Sequence, residues 1–256
     1  MKIGVQLYTL REAVAKSLPS TLRRVAEMGY EGVEFAGFAG YSAEELRDLL
    51  SHLGLSSLGS HTNFYQLRDH FDEVVKFHRI LGTPYIVCPF LDEELRATEE
   101  KCRQVALLFE EWGRALKDEG IVFCYHNHSF EFQKDFDGRL LYDVLIEHTS
   151  SDNVKLELDT CWVQHAGQNP IAYMQKYADR AALLHLKDLR NEGRDDVQTV
   201  PLGEGNVDLQ GVVSTAEQIH TDWLVVEQDF CQYDAFKSVA NSLSWLKKHY
   251  RSEPFH

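Results

Sequence analysis

Acidic, amide and imidazole side chains recur in this chain at the ends of short apolar runs. Gln6 closes the first run, Glu34 lies in GVEF and His61 in GSHTNF. The segment Tyr125-His126-Asn127-His128 follows Cys124, Glu157 and Asp159 fall in KLELDTCW, His185 and Lys187 in LLHLKD, and Glu227 and Asp229 in VVEQDF. Brought to one place and buried without a partner, such groups carry a large desolvation cost, and a divalent cation is the simplest partner. Carboxylates mixed with imidazole suit Mn²⁺, Mg²⁺, Co²⁺ or Zn²⁺, and no thiolate cluster selects a softer ion. The oxygen-rich set puts manganese or magnesium ahead of cobalt or zinc. Asp159, His185 and Glu227, one from each of three successive runs, are the first choice of ligands. A fourth is expected from the segment after Cys124.

The elements that must position these residues alternate between two periods. Strands are expected at Ile3–Tyr8, Gly32–Phe35, Leu55–His61, Tyr85–Cys88, Ile121–His126, Val154–Leu158, Ala182–Leu186 and Trp223–Val226. Helices are expected at Ser20–Met28, Ser42–Leu53, Asp69–Leu81, Thr98–Glu119, Leu140–His148, Pro170–Tyr177, Leu209–Ile219 and Ala235–His249, the second opened by the capping-box pair Ser42 and Glu45. Regular βα alternation implies parallel strands and right-handed crossovers. Eight units in 256 residues predict an α/β fold, a (β/α)8 TIM barrel, as a single domain over residues 1–256. An open doubly wound sheet would carry a Gly-rich turn after its first strand, whereas Tyr8-Thr9-Leu10-Arg11 stands there. In a barrel the active site lies where strands end, so the polar run-ends share one mouth.

Composition narrows the partners. The formal net charge of −14 disfavours nucleic acid and anionic membrane, which need clustered Lys and Arg. The five cysteines form no CxxC pair, so neither a disulfide framework nor a zinc knuckle is expected. No segment has a signal-peptide pattern or the ~18 apolar residues of a membrane span. The expectation is a reduced, cytoplasmic protein with a small-molecule substrate; homo-oligomerisation is left open.

The motifs GVEF, SHTN, YHNHSFEF, ELDTCW, HLKD and LGEGNVD, in that order, resemble the xylose isomerase-like superfamily of sugar phosphate isomerases and epimerases. The resemblance runs from Gln6 to Glu227. It implies a (β/α)8 barrel and one divalent metal bound by Glu, Asp, His and Glu from strands five to eight; Asp159, His185 and Glu227 match the last three. Strand five departs from the pattern, with Cys124-Tyr125-His126-Asn127-His128 where a Glu is expected. The nearest carboxylate is Glu131. Either Glu131 folds back onto the metal, which is the expectation taken, or His126 or His128 replaces it.

A metal that chelates a carbonyl oxygen and the adjacent hydroxyl stabilises the enediolate formed when a proton is lost between them. The first expectation is an isomerase or epimerase acting on a keto-sugar or related polyol; the resemblance to the ketose epimerases implies that Glu227 and Glu131 exchange the proton. The alternative is a dehydratase or lyase on a keto-sugar, inosose or keto-glycoside, with His126 or His128 as base and Lys187 as acid. Gln6, Glu34, His61, Asn127 and Trp162 are the expected substrate-binding residues. Phe35, Tyr8 and Phe230 are expected in the core or as apolar walls. The segment Lys187–Val207, with Arg190, Arg194 and Gly203-Glu204-Gly205, reads as a flexible lid or, through its GxG, as a phosphate turn. An endonuclease-like barrel would need a basic face, which the net charge opposes; a non-catalytic sugar-binding barrel is the remaining class.

Overall fold

The computed structural model describes residues 1–191 and 193–250. Strands β1 (Lys2–Gln6), β2 (Gly32–Phe35), β3 (Ser56–His61), β4 (Tyr85–Cys88), β5 (Val122–His126), β6 (Val154–Asp159), β7 (Ala181–Leu186) and β8 (Trp223–Val226) close into a barrel in sequence order, β8 pairing back with β1. Every adjacent pair is parallel. Outward residues such as Val33, Phe35, Ile86, Leu156 and Leu184 pack under the surrounding helices in one continuous apolar core. This is the (β/α)8 barrel that the alternation of periods predicts.

Three elements differ from the sequence expectation. The first helix starts at Arg11, not Ser20, and runs to Met28 across a kink at Ser17. Pro19 follows the kink, where its missing N–H costs little at the start of a new helical stretch. The expected helix 69–81 begins at Phe71, and an unexpected short helix, Phe64–Asp69, precedes it across a break at His70. The expected loop 187–207 contains an antiparallel ribbon, Asp188–Arg190 with Gln198–Val200. The capping box is present: Ser42 Oγ accepts from Glu45 N, and Glu45 Oε2 accepts from Ser42 N.

Inside the barrel, Leu58, Tyr85, Val87, Cys124, Leu183, Trp223 and Val225 form an apolar plug below the strand ends. Gly4 and Gly32 leave the room it needs, since a Cβ there would collide with Leu58 and with the Trp223 ring. Two register slips occur just above the plug. Opposite Val33 and Glu34, β3 pairs through Ser57 and then Gly59, so it carries one extra residue. Opposite Leu156 and Glu157, β7 pairs through Ala181 and then Leu183, again with one extra. A single added residue reverses which face later side chains take. These slips turn His61, His185 and Lys187 toward the interior.

Candidate metal centre

Because side chains alternate along a strand, Glu157 and Asp159 of β6 share the inner face, as do His185 and Lys187 beyond the β7 slip, and Glu227 and Asp229 past β8. Gln6, Glu34, His61 and His126 complete the ring from β1, β2, β3 and β5. The result is a polar layer on an apolar floor, and nearly all of it is buried.

Glu157 Oε2 lies 2.8 Å from His61 Nε2, 3.0 Å from His126 Nδ1 and 3.1 Å from His185 Nε2. Glu34 Oε2 lies 2.8 Å from both Gln6 Nε2 and His185 Nε2. The other nitrogen of His185, Nδ1, lies 2.8 Å from Glu227 Oε2. Lys187 Nζ sits among three carboxylates, 3.0 Å from Asp159 Oδ2, 2.9 Å from Glu227 Oε2 and 2.8 Å from Asp229 Oδ2.

Burial and charge pull against each other here. Burial, with Glu157 nearby, raises the Glu34 pKa to about 7. Glu157 is equally buried, yet His185 and His61 hold it well below the usual carboxylate range. For Lys187, burial disfavours the ammonium, but Asp159, Asp229 and Glu227 outweigh it and keep the group charged. His185 is raised in the same way by Glu157 and Glu227 against its own burial. Burial lowers His126 to about 3 and puts His128 well below its ordinary value, so both rings are neutral near pH 7.

The donors fit a divalent cation. Ligand atoms of His126, Asp159, His185 and Glu227 all lie within 4.8 Å of one another, and all four side chains are buried. The Lys187 ammonium already bridges Asp159 and Glu227, which shows that this position accepts a cation. Two imidazoles and two carboxylates suit Mn²⁺, Co²⁺ or Zn²⁺.

The family model described as the xylose isomerase-like TIM barrel matches residues 22–249. The chain belongs to this family. A curated relative, inosose dehydratase of Clostridium beijerinckii, is 26% identical over 178 residues, covering 62% of this chain and 58% of the relative. The chain therefore matches less than two thirds of that relative's length. The inosose dehydratase of Geobacillus kaustophilus is 25% identical over 247 residues, with 81% of this chain and 79% of the relative covered. Among solved structures, a sugar phosphate isomerase/epimerase from Parabacteroides distasonis superposes with a TM-score of 0.85 at 24% identity, covering 98% of this chain and 99% of that one.

Against the pattern expected of this xylose isomerase-like family, Asp159, His185 and Glu227 come together, and His126 stands with them where a strand-five Glu was expected. Glu131 does not fold back onto the group, which corrects the sequence expectation. It lies in the short helix Phe130–Gln133, where its Oε1 accepts from Tyr125 OH at 2.6 Å and its Oε2 from His128 N at 2.9 Å. Tyr125 points away from the barrel interior, and Glu131 follows it. Asn127 is likewise turned from the cavity: its amide exchanges hydrogen bonds with the Asp159 backbone and ties β5 to β6. Gln6 and Glu34 are fully buried beneath the mouth, where Gln6 donates to Glu34 and Glu34 holds His185, so they shape the ligand layer instead of touching a sugar.

The cavity of about 490 Å³ above this layer is lined by His61, His126, His128, Glu227 and Asp229, with Tyr8, Pro89 and Phe90 at its rim. Trp162 stands beside it, its ring 5.1 Å from Lys187 Nζ and stacked near His128. Tyr8 and Phe230 are exposed, whereas Phe35 is core. The sequence expectation placed Glu157 and Asp229 among the polar strand ends at the mouth but gave them no binding or catalytic role, although their spacing of two from Asp159 and Glu227 puts them on the same strand faces.

In the segment after β7 the Gly203-Glu204-Gly205 turn is not free to take a phosphate. The buried Asp188 carboxylate accepts from the backbone N–H groups of Leu189, Gly203, Gly205 and Val207. Those donors would have been needed for a phosphate. Arg190 donates to the Glu204 carbonyl and Arg194 pairs with Asp196.

Proposed function

We propose that this chain is a divalent-metal-dependent enzyme that takes a proton from the carbon beside the carbonyl of a neutral keto-sugar or cyclic keto-polyol, and then expels a β-hydroxyl as water. One observation carries the choice of elimination: the two sides of the site are chemically unlike. Glu227 faces the cavity from β8, but across from it stand His126 and His128, with Glu131 turned away. An exchange of one proton between two equivalent carboxylates, the isomerase and epimerase scheme expected first, lacks its second member. The inosose dehydratases among the curated relatives support the same choice.

His126, Asp159, His185 and Glu227 would hold the ion, which supplies a Lewis acid for the substrate carbonyl oxygen. The protein's own groups do the rest. His128 lines the cavity as a neutral imidazole, kept so by burial, and serves as the base for the carbon-bound proton. His126 is held by Glu157 through Nδ1 and is not free for that role. As the C–H bond breaks, its electron pair forms the C=C bond and the β C–O bond breaks. Lys187, charged and paired just behind the cavity-lining Asp229, supplies the proton that lets hydroxide leave as water. The cavity lining contains no Arg or Lys among the described residues, which favours an uncharged substrate over a sugar phosphate.

The test is a metal-stripped and reconstituted protein assayed on keto-inositols and keto-sugars for water loss and for deuterium uptake from D₂O. Turnover should require metal, and His128→Asn, which removes the base, should lower it by about 10²–10⁴-fold with the fold intact. Metal-dependent deuterium uptake with no water loss would return the assignment to an isomerase or epimerase. Unimpaired turnover after chelation would end the metal reading.

A further inference from the structure

A second cavity of about 370 Å³ adjoins the first, and both are lined by Gly37, His61 and Gln66. The two therefore meet at the exposed edge of His61. Their walls differ. Beyond His61 one wall is apolar, formed by Phe38, Val74 and Phe77, while Thr62, Gln66, His70 and Glu73 supply the polar remainder of the lining. Phe38 and Phe77 pack with ring centroids 4.3 Å apart, and all three side chains are only partly buried, so each keeps a face toward the groove.

This wall is built, not incidental. Val74 and Phe77 lie three residues apart on one face of the helix Phe71–Leu81. His78 beside them is fixed through Nδ1 to the Val74 carbonyl and through Nε2 to Ser60 Oγ at the end of β3. The loop after β2 carries left-handed backbone at Gly37, Ala39 and Gly40, and Ala39 is a residue for which that conformation is unfavourable. The strained loop turns Phe38 back onto Phe35 and Phe77. No Arg or Lys lines the groove among the described residues, and Glu73 stands on its lining, so an anionic occupant is disfavoured.

We propose that the groove walled by Phe38, Val74 and Phe77 is a second subsite of the same active site, and that it takes an apolar, ring-sized substituent carried by the sugar. The substrate is then a keto-sugar with an apolar group attached, its sugar over the metal-ligand layer and its substituent past His61. This rests on the reading that the sugar occupies the first cavity.

The probes are phenyl and methyl β-D-glucopyranoside, which lack a carbonyl and do not react. Calorimetric titration of the metal-loaded protein should show the phenyl compound binding about tenfold more tightly, the order expected when a ring leaves water for an apolar groove. Phe38→Ala, on a surface loop, should remove that preference at an unchanged melting temperature; Val74→Asn is a second variant should Phe38→Ala fold poorly. Equal affinity for the two glycosides, or no binding of either, overturns the subsite. A dimer that Phe38→Ala dissociates, with no phenyl preference, would give the groove to a second copy of the chain and also overturn it. Metal-dependent deuterium uptake by a phenyl ketoglucoside, measured in parallel, reports on the reaction. Its failure beside an intact phenyl preference would sink the reaction and leave the subsite standing.

Discussion

Glu34 and His185 are 151 residues apart in the chain, yet carboxylate and imidazole meet at 2.8 Å across the barrel. His185 Nε2 is thereby held between Glu34 and Glu157, and Nδ1 faces Glu227 in the candidate metal group. A carboxylate behind a ligating imidazole fixes its tautomer and ring angle, and such partners change metal affinity about 10–100-fold. Glu34→Leu is expected to weaken Mn²⁺ or Zn²⁺ binding by that factor in a calorimetric titration. Glu34→Gln keeps an acceptor and should lose less. Unchanged affinity in Glu34→Leu would detach Glu34 from the metal site.

Lys187 serves as the internal cation of the metal-free protein. Lys187→Met leaves Asp159, Glu227 and Asp229 buried together without their ammonium, a loss of about 3–5 kcal/mol. Denaturant melts of the chelated variant should show it. Added divalent metal should then raise the variant's stability by more than it raises that of the parent protein. An unaltered melt without metal would mean that the carboxylates find another partner.

Asp188 organises the segment after β7 by accepting four backbone N–H groups. Asp188→Ala strands those donors and should cost about 3 kcal/mol. Hydrogen exchange at Gly203, Gly205 and Val207 should accelerate, while amides of β1 and β2 keep their protection. Equal acceleration everywhere would indicate global loss of stability instead.

His78 gives a pH signature from the helix side of β3, outside the candidate metal group. Burial depresses its pKa to about 4, against an ordinary value of 6.5. The unfolded chain therefore binds a proton that the folded one refuses between about pH 4 and 6.5. Stability is fully present above that window and falls with pH through it, by about 3 kcal/mol in total. His78→Gln should show a shallower decline in melting temperature over the same range. Parallel pH profiles for the two proteins would refute the assignment.

The barrel was legible because its evidence is periodic: apolar runs in alternation with amphipathic ones, stopped by glycines such as Gly54 and Gly82, which adopt the left-handed conformation expected of them. Asp159, His185 and Glu227 were legible for the same reason, since a polar residue at a barrel-strand end has few places to go. The kink at Ser17 and the break at His70 were not, because the residues on both sides suit a helix and only packing decides where it bends.

What the sequence by itself determined is the number and kind of elements and the chemistry gathered at their ends. Only the tertiary structure decided which of those groups face one another. The extra residues in β3 and β7 turn His61, His185 and Lys187 inward, and a slip of one in strand register leaves no local trace in composition. Glu131 was decided in the same way: the nearest carboxylate in sequence is drawn off by the Tyr125 hydroxyl and the His128 amide, so His126 stands with the metal group in its place. Side-chain identity is written residue by residue, but the partner a buried charge selects depends on every strand that closes around it.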